Sequence, residues 1–186
     1  MHKAPIRIVG TALCAARRRT RTRACWVGFC AVLSVALAAT LAAPPRPRLL
    51  WNASASAPVG LWKVVPTTSV RRGDMVVARL GEPWRALAAR RHYLPANVPL
   101  LKRVTALPGD RVCALGPWLF VDGRIVAVRR HADRLGRPLP WWHGCRVLGR
   151  HSVLLLMDDP ASFDGRYFGP LEQRAIVGKA VPLWLR

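Results

Sequence analysis

Leu101-Lys102-Arg103-Val104-Thr105-Ala106-Leu107-Pro108-Gly109-Asp110 is the stretch on which the reading of this chain turns. Leu101 to Ala106 has the apolar and branched content of a β-strand, and Pro108-Gly109-Asp110 stops it in a turn. Alternation sets Lys102 with Leu100 and Val104 on one face, and Leu101 with Arg103 on the other. A lysine among apolar neighbours is desolvated, so its pKa falls and it can act as a base near neutral pH. The same pattern also fits a lysine that snorkels past its neighbours to water. Only Lys3, Lys63, Lys102 and Lys179 are lysines among the 30 basic residues, so a lysine kept in an apolar strand stands out from 26 arginines. Arginine stays charged in a protein, whereas a buried lysine can lose its proton.

Outward from that strand, the chain from Pro47 reads as short β-type runs broken by turns. Leu61 to Val65 ends at Pro66, and Asp74 to Ala78 follows the Arg72-Gly73 turn. Trp118 to Val121 and Arg124 to Val128 flank Asp122-Gly123, a strong hairpin signal. Ser152 to Met157 is a continuous apolar strand, and Ala175 to Leu185 carries the last one. Glu82 to His92 is the one good helical stretch, and residues 130–145, with Pro138 and Pro140, read as an excursion from the sheet. The expectation is a mainly β domain with few helices.

The N-terminus reads differently. Seven basic residues and no acid precede residue 24, and no charge occurs from Ala24 to Pro45. The apolar stretch Cys25 to Ala43 would span about 28 Å as a helix, close to the hydrocarbon thickness of a bilayer. Its basic flank predicts a cytoplasmic N-terminus and an exported C-terminal part. A cleaved signal, suggested by the small-x-small Ala36-Leu37-Ala38, and a buried soluble helix are the alternatives. The expected organisation is a basic N-terminus over 1–24, a transmembrane signal-anchor over 25–43, a linker over 44–51 and a catalytic domain over 52–186.

Composition narrows the function. The chain has 186 residues, is 52% hydrophobic and carries a net charge of +21, enough apolar content to exclude a disordered basic tail. Such charge ordinarily suggests nucleic acid or an anionic membrane as partner. Topology absorbs part of it, since 23 of the 30 basic residues against 9 acids leave +14 for the exported part. Cys113 and Cys145 fall in that part, where an oxidising compartment favours a disulfide; two buried free thiols are the alternative. No CxxC or HxxxH spacing accompanies them, so no metal is expected.

Two further stretches could carry chemistry. Asn52-Ala53-Ser54-Ala55-Ser56-Ala57-Pro58-Val59-Gly60 presents two serines among small residues, with Pro58 and Gly60 to fix the backbone. It also fits a plain linker, and Asn52-Ala53-Ser54 spells a weak glycosylation pattern. In Ser162-Phe163-Asp164-Gly165-Arg166-Tyr167-Phe168-Gly169-Pro170, Asp164 and Arg166 would share a face of a strand and could pair. His92, His131, His143 and His151 form no recognisable triad or metal spacing.

These stretches, in this order, resemble the signal peptidase family, and most of all its TraF-type branch of conjugal-transfer peptidases. The Lys-Arg-x-x-x-x-Pro-Gly-Asp pattern at Lys102 to Asp110 is the most specific match, and the likeness runs from Asn52 to the C-terminus. The resemblance implies a β-rich, signal-peptidase or LexA-like catalytic domain behind one membrane helix. It implies Ser56 as nucleophile, Lys102 as general base and Asp164 as the acidic residue near them. Arg166 would pair with Asp164, Ser162 would orient the lysine, and Ser54 would serve the oxyanion. Gly165 departs from the family's usual serine and Trp62 from its commoner tyrosine. The implied activity is a membrane-anchored serine endopeptidase on the periplasmic side of the bacterial inner membrane, working without a cofactor through an acyl-enzyme. Its implied partners are an exported, pilin-like precursor and inner-membrane lipid; some relatives pass the acyl group to an amine and make a cyclic product. No room or helix-turn-helix signal exists for a DNA-binding domain, so no nucleic acid is expected. A housekeeping signal peptidase and a non-catalytic component of a secretion channel are the rival readings.

Overall fold

The computed structural model describes the backbone of residues 5–42 and 48–186, and the side chains of residues 21–40 and 48–186. The chain divides into two units, Met1–Arg46 and Pro47–Arg186. In the first, helix α1 (Pro5–Ala42) runs unbroken for 38 residues, well upstream of the expected Cys25. Its segment Arg21–Thr40 has a mean hydropathy of 1.6 and buries nothing. Its 20 residues rise about 30 Å, long and apolar enough to cross a membrane. Cys25 and Cys30 are exposed free thiols on it. Ala43, the expected end of the span, and Pro44-Pro45 lie outside the described residues.

The second unit is mainly β. One sheet has seven strands: β1 (Leu49–Asn52), β2 (Gly60–Val65), β3 (Met75–Ala78), β4 (Leu100–Ala106), β9 (Ser152–Leu156), β10 (Leu171–Glu172) and β11 (Ile176–Leu185). They are ordered β1-β2-β11-β3-β4-β9-β10 and every pairing is antiparallel. A smaller sheet of four is made by β5 (Arg111–Leu115), β6 (Trp118–Val121), β7 (Arg124–Val128) and β8 (Gly144–Val147), ordered β7-β6-β5-β8. The β6–β7 turn is the expected Asp122-Gly123, and both residues take the left-handed conformation that a tight hairpin needs (φ 49° and 78°). Cys113 and Cys145 face each other across β5 and β8 and are joined by a disulfide.

Strand β4 lies inside the large sheet between β3 and β9, which is why its residues are buried almost without a break. Val76, Ala78, Val104, Val153 and Leu155, all fully buried, form one cluster of the core. Trp62, Val64, Val77, Leu101 and Met157 belong to another. Lys102 lies directly opposite Val76 in register.

Several elements differ from the expectation. Leu49–Asn52, placed by sequence mostly in a linker, is strand β1, because it finds Gly60–Lys63 as an antiparallel partner. The helix expected over Glu82 to His92 shortens to α2 (Trp84–Arg90), between Pro83 at its N-cap and His92 in a left-handed conformation. Asp164 and Arg166 do not share a strand. They belong to a single helical turn, α3 (Gly165–Phe168), which Asp164 caps by accepting the Arg166 N–H. The excursion after β7 is real but ends in β8. It is held by Arg129, which is buried and donates to the carbonyls of Trp142 and Gly116, and by the Trp142 indole, which donates to Gly165 O at 3.0 Å.

Candidate active site

Ser56 stands in the β1–β2 hairpin loop, residues 53–59. The turn Ser54-Ala55-Ser56-Ala57 is closed by the Ala57 N–H donating to Ser54 O at 3.4 Å. The Asn52 side chain occupies the inside of the loop. Its Nδ2 donates to the carbonyls of Ser54, Ala57 and Pro58 at 2.9, 3.0 and 3.0 Å, and its Oδ1 accepts the Ser54 N–H at 3.2 Å. The Trp62 indole, on β2, donates to the same Pro58 carbonyl at 3.2 Å. In the folded loop the Asn52 carboxamide is buried and fully engaged, so it is not presented at the surface as a glycan acceptor. At Gly60 a Cβ would come within 2.1 Å of Trp184 O, so the hairpin requires glycine there.

Lys102 reaches this loop from β4. It is 3% exposed, and its Nζ donates to Ser162 Oγ at 2.7 Å and to Ser56 Oγ at 3.2 Å. Burial lowers its pKa to about 8; the Asp164 and Asp159 carboxylates pull it up, and the Arg166 guanidinium pushes it further down. The three side chains come from residues far apart in sequence, and the sheet brings them together.

Ser162 is delivered by the loop after β9, where its N–H donates to Asp159 O at 3.1 Å. Asp164 and Arg166 fasten that loop. They form a 2.7 Å ion pair in which the side chains are 0% and 3% exposed. Asp164 also accepts the N–H groups of Met157 and Arg166, each at 3.0 Å. Arg166 donates to the carbonyls of Asp159 and Met157 at 3.0 and 2.6 Å. Burial pushes the Asp164 carboxyl up, against the pull of Arg166 and Lys102. Asp164 hydrogen-bonds neither Ser56 nor Lys102; its charge is felt at Lys102, and its bonds hold the loop that carries Ser162. Gly165 is tight: a Cβ would lie 2.8 Å from both Leu155 O and Leu154 Cδ1, so serine does not fit here.

Ser54 adjoins the nucleophile candidate. Its Oγ is 3.0 Å from Ser56 Oγ and accepts the Ser56 N–H at 3.3 Å. The Ser54 hydroxyl, expected to serve an oxyanion, is thus bonded to both the Oγ and the backbone N–H of Ser56. Asn52, Ser54, Ser56, Lys102 and Ser162 border a cleft of about 810 Å³, whose walls include Leu94, Val98, Leu139 and Phe163, while Asp164 and Arg166 lie behind it. His92 also lines it, but Ser56 is bonded to Ser54 and Lys102 and to no histidine among the described residues. Sequence reasoning missed Asn52 and the Trp62 indole as loop supports.

Such an arrangement is chemically competent for nucleophilic attack: a hydroxyl within reach of a desolvated amine, itself oriented by a second hydroxyl. Residues 21–185 match the model of a family described as signal peptidase, peptidase S26. The chain is 32% identical over 176 residues to a probable conjugal transfer protein TraF of Sinorhizobium fredii, covering 88% of this chain and 90% of that protein. It is 32% identical over 143 residues to a conjugal transfer protein TraF of Agrobacterium fabrum, covering 72% and 80%. A plasmid transfer protein TraF of Escherichia coli is 40% identical over 81 residues, covering 41% and 46%. Among solved structures, a signal peptidase I of Enterococcus faecalis V583 gives a TM-score of 0.36 at 18% identity, over 61% of this chain and 98% of that one.

Proposed function

The chain belongs to the signal peptidase family, peptidase S26, and on that premise we propose that it is a membrane-anchored serine endopeptidase in which Lys102 activates Ser56. The observation that carries this reading is the Lys102 amine, buried, lowered to about pKa 8 and within 3.2 Å of Ser56 Oγ. Uncharged Lys102 takes the Ser56 proton as Oγ attacks a peptide carbonyl. The protonated amine then returns that proton to the leaving nitrogen, and an ester joins the substrate to Ser56. The Ser56 N–H, now donating to Ser54 Oγ, and the Ser54 hydroxyl would stabilise the developing oxyanion after Ser54 turns away. Water or an amine of the substrate then takes the acyl group, giving a linear or a cyclic product.

The relatives named as conjugal transfer proteins support a precursor of the transfer apparatus, such as a pilin, as the substrate. The apolar segment Arg21–Thr40 supports a membrane anchor that leaves the catalytic domain on the periplasmic side. Trp51 and Trp184, both more than half exposed and stacked with ring centroids 5.7 Å apart, support contact of the domain with interfacial lipid. The test is co-expression of wild type or Ser56→Ala with candidate pilin precursors, read by mass spectrometry. Maturation by wild type alone is expected, and the product mass separates linear from cyclic ends. Equal maturation by both forms refutes the reading.

A further inference from the structure

We propose that Asn52 is a positioning residue for Ser56: its carboxamide is the internal template on which the nucleophile loop is folded. This rests on the serine peptidase reading above. Three carbonyls, from Ser54, Ala57 and Pro58, converge on one Nδ2, which has only two protons to give. The opposite end of the same carboxamide accepts the Ser54 N–H. Both ends of one planar group are therefore tied to the segment that brackets Ser56.

The anchor itself is fixed. Asn52 is the last residue of β1, opposite Gly60 in register, and is 8% exposed. Ser54 O is also used by the Ala57 N–H, and Pro58 O by the Trp62 indole. Ala57 O has Asn52 as its partner among the described residues, and Ala57 is 5% exposed. Without the carboxamide that carbonyl must turn toward water, and the turn bearing Ser56 turns with it. Aspartate cannot replace asparagine, because a carboxylate has no proton to offer three carbonyls. Asn52 makes no hydrogen bond to Lys102, so its effect reaches the chemistry through the position of Ser56.

The test uses the full-length protein in detergent and candidate pilin precursors. A misplacement of about 1 Å at a reacting group costs about a hundredfold in rate, so Asn52→Ala and Asn52→Asp are expected to lower kcat about a hundredfold. KM should stay within about twofold, since the carboxamide is spent on the loop, and the acid limb of the pH profile should stay near its wild-type position, since the burial that lowers Lys102 and its shorter bond to Ser162 both remain. A wild-type kcat in Asn52→Ala, or a loss confined to KM, overturns the proposal. Should the variants fail to fold, hydrogen exchange of the Asn52 side-chain amide in the wild-type protein decides: protected protons support the template, and exchange at the rate of a free amide overturns it. Absence of cleavage by wild type itself refutes the peptidase reading and removes this proposal with it, an outcome distinct from an active Asn52→Ala.

Discussion

Lys102 donates to Ser162 at 2.7 Å, a shorter bond than the 3.2 Å it makes to Ser56. The amine is therefore held by a residue that does not react, and presented to the one that would. Removing the Ser162 hydroxyl frees the amine to rotate. Ser162→Ala is expected to lower kcat about 10- to 100-fold, with little change in KM. It also removes an acceptor that favours the charged amine, so the acid limb should shift to lower pH. Steady-state cleavage across pH checks both effects.

On the proposed reading, the working base is the uncharged form of Lys102. Its pKa is lowered to about 8, so kcat/KM should fall as pH drops through that value and level off above it. A pH–rate profile on a precursor peptide checks the sign. A flat profile across that region would be incompatible with Lys102 as the base.

Burying this lysine has a stability cost with a defined pH window. The group ordinarily titrates at 10.5 and in the folded protein at about 8. The unfolded chain thus binds more protons between those values. Stability rises with pH across that window, and the penalty is complete below it. At neutral pH it is about 3 kcal/mol. Lys102→Met should therefore be inactive and yet more stable at pH 7, with the gain shrinking toward pH 10.5. Denaturant unfolding at several pH values measures this.

Asp164 and Arg166 hold each other with almost no exposure. Asp164→Asn leaves the guanidinium buried without its counter-charge and should destabilise the domain by about 3–5 kcal/mol. Activity should fall with it, because Ser162 rides on the same loop. Denaturant unfolding and the residual kcat separate the two effects.

Gly165 admits no side chain beside Leu155 O and Leu154 Cδ1. Gly165→Ser, although it restores the residue more usual in the family pattern, should destabilise by about 1–3 kcal/mol. Unfolding of the variant beside wild type checks this.

The parts of the candidate site are legible in the sequence because each is local, and the family resemblance assigns their roles. Lys102 announces itself as a lysine in an apolar strand, and Asp164 with Arg166 as a near pair. Ser54 and Ser56 stand out among small residues next to Pro58 and Gly60. What stays hidden depends on long-range packing or on side chain–carbonyl bonds, which leave no periodic signal. Asn52 reads as half of a glycosylation pattern until the β1–β2 hairpin closes around it. Leu49–Asn52 reads mostly as a linker because a four-residue strand is recognisable only beside its partner. The four exposed residues of β8 carry no alternation at all and owe their place to β5 and the Cys113–Cys145 link. Gly165 looks like a weakened position, whereas the neighbouring β9 strand forbids anything larger.

The most direct measurement is precursor cleavage by Lys102→Arg beside Lys102→Ala. Arginine keeps the charge but cannot give up its proton. Both variants should be equally inactive. Near-normal cleavage by Lys102→Arg would contradict an uncharged Lys102 as the base that activates Ser56.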